Sequence, residues 1–142
     1  MTSNFTEAEK AAIRRMCEDE IASRERSVAA SIELVGGEEN LLMRIDHLIW
    51  VYNDRAEIEK YREALRFIDG DENVDWEKIS WVLKSFRQRE YFCRSRAEDT
   101  RRIIEENVYS KERLQKEIRA AKGAKTAVDA LVREKNRMLD VQ

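Results

Sequence analysis

A chain of 142 residues suits one domain, and its 39% charged residues stand well above the roughly 25% of an ordinary globular protein. Lys and Arg number 27 against 29 Asp and Glu, so the net charge of -2 excludes a strong bulk attraction to nucleic acid or anionic membranes. Three Trp, four Tyr and four Phe, set among regularly spaced Ile, Leu and Val, argue against a disordered polyampholyte and for helices with ion-paired outer faces.

There is no proline, and the four glycines (Gly36, Gly37, Gly70 and Gly123) divide the chain into four stretches with helical periodicity. The first is predicted from about Thr6 to Val35. Thr6 and Glu9 form a capping box, because the hydroxyl can accept from the Glu9 amide while the carboxylate reaches back. Its apolar stripe is Ile13, Cys17, Ile21, Val28, Ile32 and Val35, and Gly36-Gly37 is expected to end it as a C-cap.

The second stretch runs from about Glu38 to Asp69 and shows two faces. Leu41, Ile45, Leu48, Ile49, Tyr52 and Ala56 share one; Ile58, Tyr61, Leu65 and Ile68 share another. At 100° per residue these are nearly opposite, which fits either a helix packed on both sides or a break near Asn53-Asp54. The third stretch starts at Asp75, an N-cap before Trp76. Its stripe of Ile79, Val82, Leu83, Phe86, Cys93, Ala97, Thr100, Ile104 and Val108 lies within about 100° of arc. Ser110 is a candidate cap for a further helix with Leu114, Ile118 and Ala121, and Gly123 is expected to separate it from a last helix carrying Val128, Leu131, Val132, Met138 and Leu139.

No alternating β-branched run competes. The expected fold class is all-α: one domain over residues 1–142, a helical bundle of four to six helices. It is elongated, with residues from about 110 to 142 forming a semi-independent, coiled-coil-like arm. Ala121, Ala124, Val128, Leu131 and Met138 fall near heptad spacing, which favours a homodimer.

Catalytic chemistry finds little footing. His47 is the only histidine, with Arg44 three residues before it, so neither a multi-histidine phosphohydrolase nor a Glu-x-x-His di-iron bundle fits. The only Glu-x-x-Asp pair, Glu72 with Asp75, lies in a loop and does not suit a helical magnesium site. Residues 69–75 resemble a calcium loop in their alternating oxygens, but Val74 and Ser80 stand where that loop requires Gly and Glu. Cys17 and Cys93 both lie on apolar stripes, as buried, free thiols of a reducing compartment do. No Gly-rich phosphate loop exists. We therefore expect no catalytic residues, no cofactor and no metal, and a non-enzymatic protein. The first residues lack a basic and apolar leader, and the longest strongly apolar run, Leu48 to Tyr52, is far short of the ~20 residues of a membrane span. The expected location is cytoplasmic, away from membranes.

One local charge cluster stands out. Lys84, Arg87, Arg89, Arg94, Arg96, Arg101 and Arg102 are interrupted only by Glu90, Glu98 and Asp99. Steps of seven put Arg87, Arg94 and Arg101 in a row beside the apolar stripe, flanked by Lys84, Tyr91 and Arg102. Such a row suits three uses: arginine stems covering the core and pairing with neighbouring acids, an acidic protein surface gripped by guanidinium forks, or a nucleic-acid backbone with bases stacked on tyrosine. Trp76 is expected in the core. Trp50 and Trp81 fall off the main stripes and are candidate partner anchors. The function expected first is protein binding, as a small regulator, adaptor or inhibitor that occludes an acidic partner surface. By analogy of size and character alone, a phage or mobile-element accessory protein is of this kind. Nucleic-acid binding through the same arginine edge is the alternative, and a metal-dependent enzyme the third.

Overall fold

In the computed structural model, which describes residues 4–106 and 111–140, the Thr6 hydroxyl accepts from the Glu9 amide (3.1 Å) and the Glu9 carboxylate accepts from the Thr6 N–H (2.9 Å). This capping box starts α1 (Glu7–Gly37). The Asn40 side chain accepts from the amides of Leu42 and Met43 and starts α2 (Leu41–Ile68). Gly70 then adopts φ +104, a conformation that costs an L side chain dearly. Asp75 accepts from the Glu77 amide (3.0 Å) and opens α3 (Trp76–Glu106). The last helix is α4 (Lys111–Asp140). All regular structure among the described residues is helical.

Cross-helix contacts set the topology. Arg14 meets Asp69 and Arg24 meets Glu57, so α1 and α2 are antiparallel. Tyr61 bonds Ser85 while Phe67 packs on Trp76, so α2 and α3 are antiparallel. Lys135 donates to Ser80 and Thr100 to Glu117, so α3 and α4 are antiparallel too, and Arg133 on Glu9 closes the ring. The result is an up-down-up-down four-helix arrangement.

The core occupies one end of it. Ile13, Met16 and Cys17 of α1 meet Tyr61, Ala64, Phe67 and Ile68 of α2, Ile79, Val82, Leu83 and Phe86 of α3, and Ala124, Ala127, Leu131 and Met138 of α4. Phe5 sits edge-on to Phe67 at 5.4 Å, Phe67 to Trp76 at 5.3 Å, and Tyr61 to Trp81 at 5.4 Å, geometries that the ring quadrupoles favour.

A layer of charge ends this core. Arg89 reaches from α3 to Asp19 (3.4 Å) and Glu20 (3.1 Å) of α1; Glu20 also takes Arg24, which bonds Glu57 (2.6 Å) and lies over the Tyr61 ring. Beyond this layer the bundle opens. Continuing the register of the Tyr61–Ser85 pair would set Trp50 opposite Arg96, yet both side chains are exposed. The far half is thus two helical hairpins, one of α1 with α2 and one of α3 with α4. Val51 is buried in the first; Ala97 and Thr100 are buried in the second.

Several expectations need correction. Gly36 and Gly37 are the last residues of α1 and lack the positive φ of a glycine C-cap; the cap is Glu38 in extended conformation. Gly123 interrupts nothing, because one glycine costs a helix about 1 kcal/mol and the buried run Ala124, Ala127, Val128 and Leu131 outweighs that. The second stretch is one unbroken helix. Its first apolar face, Leu41 to Tyr52, is exposed, since α1 packs on the other side through Val51 and Ile58. The C-terminal segment projects only in its first turns; residues 124–138 belong to the core. The heptad-like residues Ala124, Val128, Leu131 and Met138 are therefore used inside the chain and are not available to a second one. Val108 and Ser110 lie outside the described residues.

Candidate interaction surface on the third helix

The amphipathic stripe of α3 decides which way its arginines face. Ile79, Val82, Leu83 and Phe86 turn inward, so residues about 100° away emerge along one open edge. Lys84, Arg87, Tyr91, Arg94, Arg101 and Arg102 are all exposed there, and Tyr91 is 60% exposed. Tyr91 and Phe92 sit edge to face at 5.9 Å. With Lys84, Arg87 and Gln88 they line a shallow groove in which two rings form an apolar floor beside two cations.

Ion pairing distinguishes arginines that bridge helices from those of the α3 edge. Arg24, Arg89 and Arg133 are held by acids on other helices. Along the α3 edge, Arg102 pairs with Asp99 (2.5 Å) and Arg94 stands 3.9 Å from Glu90, both within the same helix. Among the described residues, no ion pair engages Lys84, Arg87 or Arg101. Of the three uses open to this row, core covering with cross-helix pairing fits Arg89. It does not fit Arg87 or Arg101.

The two off-stripe tryptophans part company. Trp81 is half-buried against Tyr61, with the Lys60 ammonium 4.6 Å from its ring centroid, so it serves the core. Trp50 is exposed on the open end of α2. The structure does not bring it to the arginine edge by any contact. Phe92 was missed from the sequence because it lies opposite the apolar stripe, where one aromatic carries no periodic signal.

Groups with catalytic potential are scattered or disarmed. Cys17 is fully buried, and burial pushes its thiol up to about 12, far from a reactive thiolate. It lies in the closed end, whereas His47 lies in the open hairpin of α1 and α2. In the turn after α2, Asp69 is taken by Arg14, Asp71 by the Asn73 amide and Asp75 by the Glu77 amide. Among the described residues no group of three metal-ligating side chains converges. No helix among them is long and apolar enough to cross a membrane. A second groove, between α1 and α4, is lined by Arg15, Asp19, Arg89, Lys116 and Arg119 around small residues. Its one acid, Asp19, is taken by Arg89, which leaves the cations Arg15, Lys116 and Arg119 along it.

No family model, no curated protein and no solved structure matches this chain.

Proposed function

We propose that this is a non-enzymatic protein-binding helical protein, a small regulator, adaptor or inhibitor that covers an acidic surface of its partner with the α3 edge. The observation that carries the reading is the split among the arginines. Arg89 is held by acids of α1, while Lys84 and Arg87 stand exposed beside Tyr91 and Phe92, with Arg101 exposed further along the same edge. Tyrosine, phenylalanine and arginine are the residues enriched at protein interfaces, where the rings supply buried area and the forks supply bidentate bonds to carboxylates. Glu90, Glu98 and Asp99 interleave with the cations, which suits separate carboxylates on a protein surface better than a continuous phosphate backbone.

A pull-down with tagged wild type and with the Arg87→Glu/Arg94→Glu/Arg101→Glu variant, each with and without nuclease, tests this. The expected result is a protein partner that survives nuclease and is lost with the variant. Recovery that vanishes with nuclease would assign the edge to nucleic acid instead.

A further inference from the structure

The open half of α2 carries a second feature that the α3 edge does not explain. Leu41, Leu42, Ile45, Leu48, Ile49 and Tyr52 lie within about 120° of arc on one helix face, and their exposures run from 44% to 74%. A stripe this broad is what a helix normally turns toward a core. Here the core-facing side is the opposite one, through Val51 and Ile58, and no described residue covers the stripe.

We propose that this stripe is the surface on which a second copy of the chain docks, α2 against α2. Three observations favour an identical partner. The first is area: six such side chains present roughly 700 Å² of apolar surface, beyond the ~300–600 Å² of the largest patch on a typical monomer. That is close to the ~800 Å² that each partner gives to a stable interface of standard size. The second is spacing. Leu41, Ile45, Leu48 and Tyr52 follow each other at four, three and four residues, so leucines repeat every seven and Ile45 and Tyr52 alternate with them. This is the seam by which a helix interlocks with another of its own kind. The third is charge. From Leu41 to Tyr52 the only ionised side chains are Arg44 and Asp46, one of each sign. Two copies therefore meet without like-charge repulsion, and a partner selected by charge finds nothing to select. A two-fold axis makes such a contact self-complementary and closes the assembly at two chains.

Sedimentation equilibrium of the full chain from sub-micromolar to hundreds of micromolar tests the proposal. Wild type is expected to approach twice the chain mass of 16.8 kDa. Leu48→Lys and, separately, Tyr52→Lys are expected to remain at the single-chain mass with unchanged helical circular dichroism, because a folded single chain leaves both side chains exposed. Arg87→Glu/Arg94→Glu, on the α3 edge, is expected to dimerise as wild type does, so the failure of the partner reading and the failure of this one are told apart. A single-chain mass at every wild-type concentration would overturn the proposal, even if the stripe then captured lipid vesicles or a foreign helix. So would a dimer that both lysine variants leave intact, or the unfolding of both.

Discussion

The two halves of this molecule are built from the same four helices and behave oppositely. In the closed half every helix packs against two neighbours, and Tyr61, Phe67, Phe86 and Leu131 are fully buried. Even a carboxylate is buried there, because Glu134 is met by Arg133, Arg137 and the Asn4 amide. In the open half each helix keeps one neighbour. Burial along the α1 stripe fades from Ile13 and Cys17, fully covered, to Ile32, half exposed, although the spacing does not change. Burial thus follows the number of helices around a residue, whatever the strength of the local pattern. Large apolar side chains of the open half contribute little to the fold, and this frees them for contacts with other molecules.

The largest effect that would sharpen this contrast is in the core. Phe86→Ala is expected to cost about 4 kcal/mol of unfolding free energy, and Leu34→Ala, in the open half, less than about 0.5 kcal/mol. Urea unfolding followed by circular dichroism measures both, and similar losses would break the comparison.

A smaller effect concerns the buried charge of the closed half. Glu134→Ala is expected to cost about 2 kcal/mol, since it leaves the Asn4 amide without its acceptor and removes the bonds that Arg133 and Arg137 make to this carboxylate. Acid should report on the same corner. The Arg133 hydrogen bonds hold the Glu9 carboxyl down at about 2, below its ordinary 4.5. Glu134 is also lowered: burial opposes its charge, but the bonds from Arg133, Asn4 and Arg137 outweigh burial. Because the folded values lie below the unfolded ones, this stability is complete above about pH 4.5 and is lost as pH falls toward about 2. Glu9→Gln should lower neutral-pH stability and flatten that acid limb; an unchanged limb would show that the pair contributes nothing.

The smallest effect lies where the halves join on α4. A Cβ at Gly123 would meet nothing within 4 Å, so Gly123→Ala should stabilise the protein by about 0.8 kcal/mol. A loss instead would mean that α4 needs a flexible point there.

Much of the fold was legible along the chain. The capping box at Thr6, the cap at Asp75, the α3 stripe and the core place of Trp76 all depend on residues within a few turns, and the structure contains each of them. The arginine edge was legible for the same reason, because steps of seven keep Arg87, Arg94 and Arg101 on one side of a helix. The glycines misled. Gly123 reads as a stop by its local cost, and only packing against Ala12, Met16 and their neighbours shows why α4 passes through it.

What no local pattern revealed is which of the two apolar faces of α2 would be covered. Leu48 and Ile58 look alike in sequence: each is a large aliphatic residue in a good helical stripe. Ile58 is 5% exposed and Leu48 is 52% exposed. Periodicity within a helix is set by its own 100° turn and is therefore written in neighbouring residues. Cover is set by where α1, α3 and α4 arrive after long excursions of the chain. The helices and their amphipathic faces follow from the amino-acid order, while the closed end, the open end and the stripe left bare on α2 follow from the packing of helices distant in that order.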